Sequence, residues 1–327
     1  MHDFVDARTL ARTRDWPSAD PSRLTLVVNP IAGRRRRGLV VETIELLRAQ
    51  GYRIDLRETS GPGDARRLAA ESCGGEAGLL VVAGGDGTIN EAVNGLAENR
   101  LPGYPASPPL AIVPLGTANV LAAEIGLEVT PGAIARTIAE GEAREIALGQ
   151  VQMTGADGSA KPRLVTLMAG AGFDAHVVEN VDLALKRRIG KGAYVWESLR
   201  QLFAFDFAGY DVWIDGVHHR AASVVVANAC HYGGRYVLAP DARLEDPLLQ
   251  VCLFGRSGRL NAMRYAAALT SNRLPQLPDI RVLPARQVRI EGPIGDPLQG
   301  DGDTIARLPC EISVLPAAMR LVMPPSV

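Results

Sequence analysis

The chain is predicted to fold as two domains: an N-terminal three-layer α/β domain on a parallel sheet, then a C-terminal antiparallel β-sandwich. Three observations carry this. From Leu24 to about Gly141, short apolar runs alternate with segments of helical spacing, the pattern of a parallel sheet between helices. Beyond about Ile146 the runs are short, rich in Val, Ile and Leu, and separated by Gly, Pro and Asp, which suits a sandwich. The 327 residues can bury two cores.

In chain order, Leu24–Asn29 is an apolar strand, and residues 38–50 space Leu39, Ile44, Leu46 and Leu47 as a helix. Tyr52–Leu56 is a second strand, and Asp64–Ser72 a helix with an acid in its first turn. Leu79–Ala83 is a third strand and runs into a helix that ends near Ala97. Leu110–Val113 is a fourth, followed by helices over Ala118–Ile125 and Pro131–Glu140. Sandwich strands are expected at Arg163–Met168, Val212–Ile214, Ala221–Ala227, Leu248–Phe254, Gln287–Ile290 and Glu311–Leu315. Helical stretches interrupt them at Ala175–Phe205 and Leu260–Ser271.

Composition narrows the function. A net charge of −1 offers no global basic field for nucleic acid. Cys73, Cys230, Cys252 and Cys310 are scattered and form no Cys-x-x-Cys pair, which argues against zinc and for a reducing compartment. No run reaches the ~18 apolar residues of a membrane span. Residues 1–22 are polar and lack the apolar centre of a signal peptide, so they read as a tail on a cytoplasmic protein. His176, His218, His219 and His231 lack metal-ligand spacing, and Ser198 and Ser223 lack a nucleophile elbow.

The chemistry concentrates in three loops at strand ends, where ligands gather in parallel sheets. Asn29-Pro30-Ile31-Ala32-Gly33 follows the first strand, Gly84-Gly85-Asp86-Gly87-Thr88 the third, and Pro114-Leu115-Gly116-Thr117-Ala118-Asn119 the fourth. Glycine lets backbone approach an anion, and the first amides of a helix point free N–H groups at it. An ordinary capped turn explains any one of these loops; three on one rim are harder to explain so. None carries the Lys of a P-loop. Arg34–Arg37 is a basic run beside the first loop, of a kind that usually forms a solvated face.

Together these motifs resemble the diacylglycerol kinase catalytic family, which includes diacylglycerol, sphingosine and ceramide kinases and bacterial lipid kinases. The resemblance continues through Gly170–Asp174, Pro240–Asp246 and Asp301-Gly302-Asp303, and so spans residue 24 onward. Gly-Gly-Asp-Gly-Thr alone also occurs in NAD kinases and phosphofructokinases. The family implies domains at 23–145, with 316–327 returning to it, and at 146–315. It implies a nucleotide held between the two. ATP would contact Asn29, Pro30, Ile31, Ala32, Gly33, Thr59, Gly85, Asp86, Gly87, Thr88, Ile89, Asn90, Glu91 and Thr117. Asp86 would organise a catalytic Mg²⁺, and the family's general-base Glu falls on Asp303. A structural Mg²⁺ would sit around Arg243, Asp246 and Leu248, partly on carbonyls, with Glu245 nearby.

The resemblance implies an ATP-dependent kinase that phosphorylates diacylglycerol or a related lipid, such as ceramide or a sphingoid base, at a membrane surface. A soluble NAD-kinase-like enzyme and a weakened nucleotide- or lipid-binding regulator are the alternatives. Val120, where many members carry Asp, and Ala147, at a position often acidic, motivate the latter, while the retained Asp86 and Asp303 oppose it, Asp303 standing in place of Glu. The segment 177–205 sets Lys186, Arg187, Arg188 and Lys191 beside apolar residues and could lean on an anionic bilayer. Oligomeric state is open, a homodimer included.

Overall fold

The computed structural model describes residues 20–32, 36–73, 77–98, 107–153, 162–180, 205 and 208–325. Gly33 and the basic segment around Lys186–Lys191 lie outside the described residues. Two compact units result, Met1–Ile146 with Ala318–Val327, and Ala147–Ala317.

The first unit is built on β1 (Asp20–Val28), β2 (Arg53–Glu58), β3 (Ala77–Gly84) and β4 (Leu110–Pro114). They run parallel in the order β2-β1-β3-β4. The end of β18 (Cys310–Met323) extends this order, with Leu321 opposite Leu110, also parallel. β3 is central, and Leu79 to Ala83 are wholly buried, which is why this strand reads as an unbroken apolar run rather than an alternating one. β2 lies at the edge and exposes most of its side chains. Asp20, Pro21 and Ser22, expected in the tail, instead open β1. The Asp20 carboxylate accepts the Ser22 N–H at 2.9 Å and pairs with Arg53 on β2, which draws these residues into the sheet.

Helices α1 (Arg37–Ala49), α2 (Asp64–Ser72), α3 (Asp86–Glu98), α4 (Val120–Glu124) and α5 (Pro131–Glu140) complete this unit. The helices pack in two pairs, α2 on α3 and α1 on α5. α5 starts where the Thr130 side chain accepts the Ala133 N–H at 3.3 Å and Pro131 takes the first helical position. The α2–α3 pair is close because Gly95 has no side chain: a Cβ there would lie 2.0 Å from the Arg66 carbonyl oxygen.

The second unit is a sandwich. One sheet runs β14 (Ile280–Ala285), β13 (Leu249–Phe254), β10 (Ser223–Ala227), β7 (Met168–Ala171), β16 (Pro297–Gly300), β17 (Asp303–Arg307), all antiparallel. The other contains the start of β18, β15 (Gln287–Glu291), β8 (Tyr210–Ile214) and β9 (Val217–Ala221), and β5 (Glu142–Met153) pairs there with β6 (Arg163–Val165). Inward residues of both sheets, among them Val212, Val224, Val251, Val288, Leu298 and Ile312, form one core. β11 (His231–Tyr232) and β12 (Tyr236–Val237) form a small hairpin, and α6 (Phe173–Asn180) and α7 (Arg259–Thr270) are its helices among the described residues. β5 and β18 each contribute residues to both units.

The strand expected over Arg163–Met168 is broken into β6 and β7. Asp301 causes the break: its carboxylate takes the N–H groups of Thr166, Leu167 and Met168 at 2.7, 2.9 and 2.9 Å. At least one of these amides must leave a ladder to reach it. No helix among the described residues is long and apolar enough to cross a membrane.

Gly95→Val is expected to wedge α2 from α3 and cost about 2 kcal/mol, seen as a lower melting temperature. Gly132→Ala, in α5 with open space at its Cβ, should instead stabilise by about 0.5 kcal/mol.

Candidate active site

In the order β2-β1-β3-β4 the chain leaves β1 to one side for β2 and returns on the other for β3. Connections therefore diverge at the carboxyl ends of β1 and β3, and a crevice opens there. The first two motif loops leave from those two ends.

After β1, Asn29 organises its own loop: its Oδ1 accepts the N–H groups of Ile31 and Ala32 at 3.0 and 3.1 Å. Its Nδ2 donates to Thr88 Oγ1 at 2.9 Å, and its backbone N–H to the Ala83 carbonyl at 2.9 Å, so both loops are tied across the crevice. After β3 there is less loop than expected. The strand reaches Gly84 and α3 begins at Asp86, so Gly87 and Thr88 stand in the first helical turn. Their amides belong to the orphan donors of a helix start, which favour an anion.

The third loop closes on the second. Leu115 N–H donates to the Gly84 carbonyl at 2.8 Å. A Cβ at Gly116 would stand 2.8 Å from Gly85 Cα and 2.8 Å from Asn119 Oδ1, so only glycine allows the two backbones this approach. Arg36, from the basic run, reaches Pro114 O through Nη1 at 3.2 Å and braces the rim. Thr117 is exposed, and Thr59 is buried, its N–H continuing the ladder to Val28 O at 2.9 Å. Glu91 accepts the Gly63 N–H at 3.0 Å and so holds the start of α2.

Asp86 caps a neighbouring helix. Its Oδ1 accepts the Leu121 N–H at 3.2 Å, at the start of α4, whose own N-cap Asn119 is left-handed and makes no side-chain cap. Burial pushes the Asp86 carboxyl above its ordinary range, opposed by the amides of Leu121, Val120 and Asn119. Val120 thus meets Asp86 through its amide, and its own side chain is buried. Asn119 Oδ1 is buried with no partner among the described residues. A hard cation with a triphosphate fits this donor set: a half-buried carboxylate penalised for its charge, an orphaned amide oxygen, and a cradle that any Cβ would fill.

The second unit joins the two later motifs. Ala147 N–H donates to the Leu244 carbonyl at 2.7 Å, within the Pro240–Asp246 loop. Asn228, fully buried, donates through Nδ2 to Ala147 O and Thr166 O, both at 2.8 Å. Thr166 N–H in turn meets the Asp301 carboxylate. Asp301 itself is left-handed (φ 50°) and leads into Gly302, whose N–H donates to Gln299 Oε1 at 3.2 Å. The Gln299 side chain also bonds Asp174, which pairs with the Tyr232 hydroxyl; burial pushes the Asp174 carboxyl up against both. Asp303, next in the chain, is exposed at the first position of β17. Asn228 and Gln299 were not read as site residues in the sequence, because a lone amide has no spacing signature, and Asp174 entered only as the end of the Gly170–Asp174 motif.

The expected structural-cation residues lie on a turn closed by Asp246 N–H to Arg243 O at 3.1 Å, with Arg243, Glu245 and Asp246 exposed and Leu248 half-buried. Arg243 directs its guanidinium to Pro240 O and Ala242 O at 2.9 and 2.8 Å. Among the described residues no three His, Cys, Asp or Glu side chains converge to hold a metal ion, so a cation at this turn would need carbonyls, one or two carboxylates and water as ligands. The family acid at position 147 would stand beside this turn; Ala147 supplies only a backbone contact. Burial pushes the thiols of Cys252 and Cys310 up to about 12, which makes them inert.

Asp301→Ala leaves three strand-end amides without their acceptor. A loss of about 2–3 kcal/mol in thermal or denaturant unfolding is expected, with Asp301→Asn intermediate.

Comparison with known proteins follows the same division. A model described as the diacylglycerol kinase catalytic domain matches residues 23–151, and one described as the YegS C-terminal NAD kinase beta sandwich-like domain matches 168–323. A Chromohalobacter salexigens protein named "Probable lipid kinase YegS-like" is 30% identical over 292 residues, 87% of this chain and 88% of its own. A Mycobacterium tuberculosis protein named "Diacylglycerol kinase" is 27% identical over 310 residues, 92% of this chain and 95% of its own. A crystal structure of a diacylglycerol kinase from Bacillus anthracis str. Sterne matches with a TM-score of 0.72 over 93% of this chain and 98% of that one; at 22% identity it shows likeness of fold. Motif loops, fold and relatives agree: the chain belongs to the YegS-like lipid kinase family, built on the diacylglycerol kinase catalytic domain.

Proposed function

We propose that this lipid kinase transfers the γ-phosphoryl group of ATP to the hydroxyl of diacylglycerol or a related lipid, giving phosphatidic acid or the corresponding phosphate monoester. The observation that carries the reading is the crevice between β1 and β3, where Asn29 is bonded to Thr88 beside the Gly85–Gly116 approach. Phosphoryl transfer asks for positioning and charge neutralisation more than for covalent help. The amides opening α3 and the loop that Asn29 begins would hold the triphosphate, with Thr59, Ile89, Asn90, Glu91 and Thr117 as the further nucleotide contacts proposed.

Asp86 would hold the catalytic Mg²⁺, and the Arg243–Leu248 turn would hold a structural one. When bound, Mg²⁺ neutralises the charge of the triphosphate. Asp303 accepts the proton of the acceptor hydroxyl as that oxygen attacks the γ-phosphorus. The bond to the β–γ bridging oxygen breaks, ADP leaves, and the proton passes from Asp303 to solvent. Being exposed, Asp303 can exchange that proton freely. The Gln299–Gly302 bond and the three amides on Asp301 fix the turn from which Asp303 projects. The lipid acceptor is met at a membrane surface, where such apolar substrates reside.

The test is a mixed-micelle assay with labelled ATP on diacylglycerol, monoacylglycerol, ceramide, sphingosine and NAD. Label should enter diacylglycerol. Label in NAD and in no lipid, or nucleotide binding without turnover, would overturn the reading.

Asp303→Ala should lower turnover by about 10²–10⁴-fold with an unchanged melting temperature, because the side chain is exposed. Asp86→Asn should abolish turnover and yet raise the melting temperature of the nucleotide-free protein at pH 7. The fold raises this carboxyl above its unfolded value, so it favours the uncharged form. The stability gained thereby is present at acid pH and lost as pH rises through the folded pKa; Asn, never charged, keeps it. The difference between the two proteins should vanish below about pH 4, where Asp86 is protonated in both states.

A further inference from the structure

We propose that the outward face of α7 is a docking surface for an anionic lipid bilayer. This deepens the lipid-kinase reading and rests on it for its biological sense, but the geometry stands by itself. α7 turns Tyr265 and Ala268 inward, while Arg259, Leu260, Met263, Ala266, Ala267 and Thr270 are exposed. At about 100° per residue these six fall on one arc of the helix. Leu260 is 83% exposed and Met263 55%. Outward arcs of soluble helices normally carry charged residues; this one presents two large aliphatic side chains and two alanines.

Charge is arranged around that stripe. Between Pro247 and Pro278 the sequence holds Arg256, Arg259, Arg264 and Arg273 and no Asp or Glu, in a chain whose acids and bases nearly balance at 36 to 35. Asp279, just beyond, is spent inside: it pairs with Arg264, lies 3.7 Å from Arg256, and accepts the Tyr265 hydroxyl at 2.5 Å. The same hydroxyl accepts the Arg256 N–H at 3.1 Å. Counted by formal charge, residues 248–279 hold four Arg against the single Asp279, and the helix is braced so that its stripe stays outward.

An apolar stripe edged with Arg matches an interface where acyl chains lie beneath anionic headgroups. It suits a second copy of the chain poorly, since a two-fold contact would set the same arginines against each other. Protein hot spots favour Trp, Tyr and Arg seated in pockets, and Leu, Met and Ala on a convex helix offer none.

The test is flotation of the full-length protein, without ATP, with vesicles of phosphatidylcholine alone and of phosphatidylcholine mixed with phosphatidylglycerol. Wild type should float with the anionic vesicles, less so in high salt, and weakly with the neutral ones. Leu260→Glu with Met263→Glu should cut partitioning by about tenfold or more. Arg259→Ser with Arg273→Ser should cut binding to anionic vesicles only. Both double variants should keep wild-type melting temperatures and wild-type turnover on a short-chain, water-soluble diacylglycerol. Wild type that binds no vesicle, or Leu260→Glu/Met263→Glu protein that binds as well as wild type, overturns the proposal. So does a wild-type dimer that this variant makes monomeric in light scattering, which would mean that a second copy covers the face. Vesicle binding with no phosphoryl transfer to any lipid would sink the kinase reading and leave the docking surface standing.

Discussion

Leaving a buried polar group unpaired is costly, and the second unit is organised around a few pairings that avoid that cost. The Asn228 amide reaches the carbonyls of Ala147 and Thr166 at once, and Asp301 gathers three successive N–H groups. Each of these contacts stands where an unpaired group would cost about 1–3 kcal/mol, so none can be traded away singly. The consequence is positional. The loop carrying Leu244, the strand break at Thr166 and the turn before Asp303 become one continuous hydrogen-bonded assembly, although they are far apart in the chain. The backbone that carries the exposed Asp303 carboxylate is thereby anchored on its N-terminal side.

The first unit solves the opposite problem, keeping a charge where burial disfavours it. Asp86 is held at a helix start by amides that partly offset its lost hydration. The energy spent on that placement is recovered only when a cation or a proton arrives. A site of this kind trades stability for readiness, a common bargain where chemistry is done.

What the residues disclosed in advance, and what they hid, follows the range of each interaction. The α/β domain and the sandwich could be read from periodicity, because burial imposes a local pattern: β3 is apolar throughout since both faces are covered. The strand-to-helix passage at Gly84–Thr88 could be read because glycine and helix starts have local signatures, although helix begins at Asp86, sooner than the run of glycines suggested. The break at Thr166 could not, since its cause, Asp301, lies 135 residues away. Asn228 was silent for the same reason: its partners are set by topology. The outward stripe of α7 shows the converse: the helix over Leu260–Ser271 was legible, while the side to which it turns Leu260 and Met263 is set by its packing and not by local spacing.

The strand β18 has a consequence for how the molecule is made. Its last residues pair with β4, Leu321 opposite Leu110, and Arg320 reaches Ser107 O at 3.1 Å. A ribosome must therefore finish the whole sandwich before it delivers the strand that completes the earlier sheet. The N-terminal unit emerges first and waits longest, with β4 as an unsatisfied edge during elongation. Nascent chains of this protein should lean on chaperones for that edge until β18 returns to cover it.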